Sequence, residues 1–253
     1  MSQTPFRQAI IIGASSGIGL ALAQLLTQNG THVALVARRL DLLEEICRDL
    51  NAKSESPSAF AYQHDVNNIA EVPDLFQRIT RDLGGVDLVV YASGIMLPVR
   101  SKEYDTVKDV ETINVNLIGA MAWLNEAAVR FQALYTGTII GISSVAGDRG
   151  RRSSPAYNVS KAAFSTYLEA LRNRLSMAGV HVVTIKPGYV STPMLTGAKI
   201  PKFLPVITPE AAAKSILASA TSSQQTVYVP AIWGPIMRLV RSIPSPIFRR
   251  LNV

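Results

Sequence analysis

A serine, a tyrosine and a lysine stand at a spacing suited to proton transfer: Ser144, Tyr157 and Lys161. Tyr157 and Lys161 are four residues apart, so on a helix both side chains project from one face. A free tyrosine titrates near ~10 and is a poor base at neutral pH. Bringing it to ~7 takes ~4 kcal/mol. One ammonium at ~4 Å supplies about that much at an effective dielectric of ~20. Lys161 is therefore expected to activate Tyr157, helped by a positively charged nicotinamide ring, while the Ser144 hydroxyl holds the substrate oxygen beside it. Such a site moves a proton while a hydride moves to or from carbon, on a carbonyl or an alcohol.

The hydride carrier has its own signature. Gly13-Ala14-Ser15-Ser16-Gly17-Ile18-Gly19 follows an apolar run and opens a helical pattern. Glycine allows the tight turn and the close backbone approach that a pyrophosphate needs, and the helix start offers free N–H groups to the anion. Gly13, Ser15, Ser16, Gly17, Ile18 and Gly19 are thus candidate cofactor contacts. After the second apolar run comes Arg38-Arg39. A carboxylate at this place suits the ribose 2′-hydroxyl of NAD, whereas an arginine fork suits the 2′-phosphate of NADP. NADP(H) is expected over NAD(H); the competing reading leaves both arginines merely exposed. Asp65 is placed to bind the adenine amino group or, alternatively, to cap a helix.

These residues need a scaffold. Apolar, β-branched runs at Ala9–Ile12, His32–Ala37, Ala59–His64, Leu88–Tyr91, Thr138–Ser143, His181–Lys186 and Thr226–Val229 alternate with helical patterns. Those patterns are Gly17–Gln28, Leu40–Leu50, Val72–Asp82, Val107–Ala133, Ala156–Ala178 and Pro209–Ala220. The alternation predicts an α/β fold, a doubly wound parallel sheet of about seven strands with helices on both faces. One domain over 1–253 is expected, with 193–253 supplying a substrate loop and a basic amphipathic tail. Lys53–Ser58 reads as a loose surface loop.

Of the 253 residues, 48% are hydrophobic and 17% charged, a globular balance. The single cysteine, Cys47, lies on an apolar helical stripe and is expected in the core. No metal site is expected from three histidines without ligand spacing. With no secretory signal and no apolar run of ~18 residues, a cytoplasmic protein is expected. The formal charge of +7 is uneven: residues 1–130 carry a net −4 and residues 131–253 a net +11. A basic half of this kind is either a solvated surface or attracts an anionic substrate, carrier or lipid. Nucleic acid is not expected, because no recognition motif accompanies the charge.

The glycine turn, Ser144, Tyr157 and Lys161 together resemble the short-chain dehydrogenase/reductase family over essentially the whole chain, which implies a Rossmann-type sheet. The resemblance puts the family's catalytic asparagine on Asn116, with Asn114 the alternative. It implies that Pro187, Gly188, Val190 and Thr192 bind the nicotinamide carboxamide, and adds Val66, Ala92, Gly94, Tyr157 and Lys161 to the cofactor contacts. One departure stands out: Tyr91-Ala92-Ser93-Gly94 replaces the family's Asn-Asn-Ala-Gly. Another hydrogen bond, through Ser93, is expected to substitute for the lost asparagine. The resemblance also implies a homodimer or homotetramer through the long helices.

Two segments narrow the substrate. Gly147–Arg152 forms a basic loop just before Tyr157, and Tyr228–Val253 mixes apolar residues with Arg238, Arg241, Arg249 and Arg250. Pro235, Pro244 and Pro246 are expected to break this tail into short pieces, which cover the cleft, contact a subunit or lie on a membrane surface. Both segments resemble the reductases that work with a flavin oxidase partner to epimerise a polyprenyl-phosphate-linked ribose to arabinose. On that resemblance Arg149, Arg151 and Arg152 meet the lipid phosphate, the enzyme reduces a 2-keto-pentose, and it sits at the inner face of the membrane. The alternative substrate is a 3-oxoacyl thioester or a broader set of carbonyls.

Overall fold

The apolar runs become strands because each is covered on both faces. The computed structural model describes residues 6–53, 58–100, 102–197, 200–201 and 204–251; the centre of the Lys53–Ser58 loop lies outside them. β1 (Gln8–Ile12), β2 (His32–Ala37), β3 (Ala59–Gln63), β4 (Leu88–Tyr91), β5 (Thr138–Ile142) and β6 (His181–Pro187) are six strands of the main sheet. A short pair, β7 (Tyr189–Val190) and β8 (Val206–Ile207), follows, and β9 (Thr226–Val229) completes the main sheet in the order β3-β2-β1-β4-β5-β6-β9. All its pairings are parallel. This is an α/β, Rossmann-type fold.

Alternation along β1 shows how the two layers form. Ile10 and Ile12 enter a cluster with Trp123, Phe131, Phe164 and Leu168. Ala9 and Ile11 enter the opposite cluster, with Leu22, Leu26 and Ile216. The helices that cover these faces are α1 (Gly17–Gln28), α2 (Leu40–Asn51), α3 (Val72–Asp82), α4 (Thr106–Ile113), α5 (Gly119–Leu134), α6 (Pro155–Leu175) and α7 (Pro209–Ala220). Successive side chains on a strand point to opposite faces, so an unbroken apolar run is what a doubly covered strand requires. Cys47 sits in this core, where burial pushes its thiol up to about 11.

The structure corrects three helix expectations. The pattern over Val107–Ala133 is not one α-helix: α4 and α5 are joined by a π-helical turn, Asn114–Ile118. α6 stops at Leu175 and a 3₁₀ turn, Ser176–Ala178, carries the chain to β6. In the tail, Pro235 does not break the chain; α8 spans Trp233–Ser242 and α9 Ser245–Phe248. Pro235 lies in the first turn of α8 and Pro246 in that of α9, where a helix has no use for the missing N–H.

The register levels the carboxyl ends of the central strands. Ile12 pairs with Tyr91, Tyr91 with Gly141, and Ile142 with Ile185. The strand order reverses between β1 and β4, which opens a crevice at that edge. The glycine turn, Ala92–Gly94, Ser144 and Gly188 all leave the sheet there.

Candidate active site

Ser144 follows β5 and caps a 3₁₀ turn, Val145–Asp148, its Oγ accepting from the Ala146 N–H at 3.1 Å. That turn packs directly on α6. A Cβ at Gly147 would lie 2.6 Å from the Lys161 carbonyl carbon, so only glycine allows the approach. The Ser143 hydroxyl donates to the Lys161 carbonyl at 2.9 Å and clamps the same contact. α6 begins after Ser154, which adopts the left-handed φ of 49°. The Asn158 amide holds this entry by donating to the Ser153 carbonyl at 3.0 Å. The result brings the Tyr157 hydroxyl near enough to the Ser144 side chain for it to favour the ionised phenol.

Lys161 lies deeper than the sequence suggested. It is 4% exposed, and its Nζ donates to the Ile142 carbonyl at 2.9 Å. Nζ stands 5.8 Å from the centre of the Tyr157 ring. Burial lowers the Lys161 pKa to about 8. Burial also raises that of Tyr157, opposed by its hydrogen bond to Ser144 and by the nearby Arg151 charge. Desolvation thus favours the neutral form of both side chains.

Asn116 is fully buried in the π turn, whereas Asn114 is exposed. Its amide brackets Ile95, accepting from the N–H at 2.8 Å and donating to the carbonyl at 2.9 Å, and donates to the Ser160 hydroxyl at 3.0 Å. Asn116 Oδ1 and Lys161 Nζ lie 3.3 and 3.4 Å from where a Cβ of Gly94 would be, so all three meet at one point. A π turn displaces the backbone ladder by one residue and is often found at functional sites. Here it is pinned by Tyr91, whose hydroxyl donates to the Val115 carbonyl at 2.6 Å. Tyr91 thus ties the end of β4 to the π turn, at the segment where the family has Asn-Asn-Ala-Gly.

The glycine turn has no room for side chains at its glycines. Gly13 has φ +89°, and a Cβ there would meet the Ser93 nitrogen at 2.5 Å. Its N–H and that of Ala14 donate to the Val36 carbonyl, which folds the turn back over β2. Thr192 reaches the turn from the far side, its methyl 3.0 Å from a Cβ position at Gly17. Val190, next to it, is held in the β7–β8 pair, an element the sequence did not signal because it is two residues long. Both arginines are exposed; Arg39 reaches over the turn and donates to the Ser15 hydroxyl at 3.3 Å, and the Arg38 carbonyl accepts from the Gln63 amide at 3.1 Å. Asp65 accepts from the Asn67 N–H at 3.0 Å, a local turn bond, and Val66 packs behind it against Gly119.

The basic loop has divided duties. Arg149 donates to the carbonyls of Val240 and Arg241, the latter at 3.2 Å, and stacks 3.8 Å from the centre of the Phe248 ring. Arg152 donates to the Arg249 carbonyl. Arg151 points at Met237 of α8 and stays close enough to Tyr157 to act on it electrostatically. The sequence missed Asp148, whose buried carboxylate binds Lys186 at the end of β6 and accepts from the Tyr228 hydroxyl at 2.8 Å. Its only signal was a lone acid in a basic stretch.

Known proteins resemble this chain over most of its length. A family model described as short chain dehydrogenase matches residues 7–201. An uncharacterized oxidoreductase of Mycobacterium tuberculosis is 30% identical over 247 residues, covering 96% of this chain and 97% of its own. One from Staphylococcus epidermidis is 32% identical over 197 residues, 78% of this chain and 84% of its own. A short chain dehydrogenase from Burkholderia cenocepacia, solved in complex with NADP, superposes with a TM-score of 0.82 at 22% identity over 100% of both chains. A short-chain type dehydrogenase/reductase from Mycobacterium ulcerans gives 0.81 at 24% identity over 90% of each; both likenesses show the fold. With the match over residues 7–201, this chain belongs to the short-chain dehydrogenase/reductase family and is an NAD(P)-dependent oxidoreductase.

Proposed function

We propose that the protein reduces a carbonyl to a secondary alcohol with NADPH, and that its substrate is the 2-keto form of a pentose carried on a polyprenyl phosphate. The observation that carries the reaction is the Tyr157 hydroxyl near Ser144, with Lys161 buried beneath it. A phenol kept protonated by burial suits proton donation to a carbonyl oxygen. The nicotinamide cofactor supplies the hydride. Ser144 holds the substrate oxygen, Tyr157 gives it the proton, and Asn116 and Lys161 lead to the reprotonation side. Gly13, Ser16, Gly17 and Gly19 cradle the pyrophosphate, and Pro187–Thr192 meet the nicotinamide.

The choice of NADPH rests on Arg39 over Ser15, which offers a guanidinium and a hydroxyl at one point. The NADP found in the Burkholderia relative is consistent with it. Arg39→Ala is expected to weaken NADPH about tenfold and NADH little; equal effects in fluorescence titrations would overturn the assignment.

The choice of substrate rests on the basic loop and tail beside the site. Leu239, Ile247 and Leu251 are exposed on the same tail as Arg238, Arg241, Arg249 and Arg250, a pattern suited to an anionic lipid surface at the inner face of a membrane. In this reading a flavin oxidase partner supplies the ketone, and residues 193–253 form the substrate-covering part of one domain. A dimer or tetramer would cover the apolar side chains exposed on α4, α5 and α6, Val107, Val129 and Val159 among them. The test is NADPH oxidation by the purified protein with a polyprenyl-phosphoryl 2-keto-pentose and, in parallel, a 3-oxoacyl thioester. Turnover of the first is expected; turnover of the second alone would return the chain to the thioester reductases.

A further inference from the structure

Two buried donors beside the reacting centre have no acceptor. Among the described residues with buried, unpartnered polar atoms are Nε of Arg151 and Nε1 of Trp233. Trp233 is 3% exposed. Its indole edge lies over Gly188, where a Cβ would come within 1.9 Å of Nε1, and its ring meets Tyr189 edge-on at 5.6 Å. Arg151 Nη2 has a thioether for its partner, Met237 Sδ at 3.9 Å. Trp233 and Met237 are one turn apart on α8 and form one small buried cluster with Val145, the residue after Ser144. Both donors therefore border the roof that α8 lays between the Ser144 turn and the nicotinamide segment.

The contrast within the loop is informative. Arg149 and Arg152 give their N–H groups to backbone carbonyls at the ends of α8 and α9 and hold the tail in place. Arg151 lies between them in sequence, and a thioether is a weak acceptor for a guanidinium. A buried donor without a partner forfeits about 1–3 kcal/mol. A guanidinium and an indole N–H, both without a lone pair to offer, select a ligand rich in acceptor oxygens and negatively charged.

We propose that Arg151 and Trp233 form an oxyanion subsite beneath the tail that takes the phosphate ester of the substrate while its carbonyl lies at Tyr157. This deepens the reductase reading above and rests on it for the placement of the carbonyl. Arg149 and Arg152 are tail latches and do not touch the substrate.

The experiment is calorimetric titration of the NADPH-saturated protein with hexyl phosphate and with hexanol; NADPH fills the cofactor's own phosphate sites. The wild type is expected to prefer hexyl phosphate by about tenfold. Arg151→Gln should erase that preference, Arg151→Lys restore part of it, and Trp233→Phe reduce it while keeping the ring. Arg48→Ala, at an exposed arginine of α2, should leave it intact. The subsite is overturned if the wild type shows no preference, if the preference survives both Arg151→Gln and Trp233→Phe, or if Arg48→Ala erases it as fully. The readout is binding, so its failure is separate from any failure of Tyr157 to support turnover.

Discussion

Tyr157 and Lys161 are both governed by desolvation, with opposite consequences. Burial favours the neutral phenol of Tyr157 and the neutral amine of Lys161. The neutral phenol is the form that reduction consumes. Carbonyl reduction should therefore be insensitive to pH through the neutral range and fall on the alkaline side, as a profile of kcat/KM would show. Tyr157→Phe is expected to lower turnover by about 10²–10⁴-fold while NADPH binding persists, measured by initial rates and by fluorescence titration. Substantial residual turnover would remove Tyr157 from the proton path. For Lys161 the folded pKa of about 8 lies below the usual 10.5. Between those values the unfolded chain holds a proton that the folded chain has shed, so this residue's contribution to stability rises with pH there and is least favourable below about 8. The stability of wild type relative to Lys161→Met should increase between pH ~8 and ~10 in denaturant titrations. A difference that stays constant would mean the ammonium is well solvated.

At the scale of the element, the π turn decides where Asn116 lies. The apolar periodicity over Val107–Ala133 reads as one helix because a five-residue change of pitch leaves too few apolar positions to register. The turn is stabilised by a contact far away in sequence, from Tyr91 at the end of β4 to the Val115 carbonyl. Tyr91→Phe would leave that carbonyl buried without its donor, a loss of about 1–3 kcal/mol in folding stability. It should also lower kcat more than it raises the KM for NADPH, because the turn carries Asn116 and not the glycine cradle. Unchanged kcat in a destabilised protein would confine the hydrogen bond to a structural role. The same logic explains why Tyr91-Ala92-Ser93-Gly94 was legible as a departure while the Tyr91 bond was not: its partner lies on another element.

Over the whole molecule, the tail is bound to the catalytic loop and not to the main sheet alone. Asp148 joins the Ser144 turn, the end of β6 and Tyr228 of β9, and Arg149 and Arg152 join the loop to α8 and α9. Arg149→Ala removes the bonds to the α8 carbonyls and the stack on Phe248. Trypsin is then expected to cut at Arg238 and Arg241 several times faster than in wild type, with melting of the core little changed. Equal cleavage rates would show that the small cluster around Trp233 and Met237 holds the tail unaided. Among the described residues no helix is long and apolar enough to cross a membrane.

Local chemistry and periodicity determined much of this protein from the sequence alone. Unbroken apolar runs require strands covered on two faces, a glycine turn between strand and helix suits an anion, and Tyr157 and Lys161 share a helix face by spacing. Pro235 and Pro246 misled because proline breaks a helix in its interior and starts one in its first turn, and only the position of α8 and α9 separates the two cases. The tertiary structure decided the electrostatics: Lys161 is drawn to the Ile142 carbonyl, and Arg151 is the cation set against Tyr157. It also decided the duties of three neighbouring arginines, two on helix ends and one beside the site. Side-chain partners and desolvation depend on residues distant in the chain, and spacing along a sequence carries no record of them.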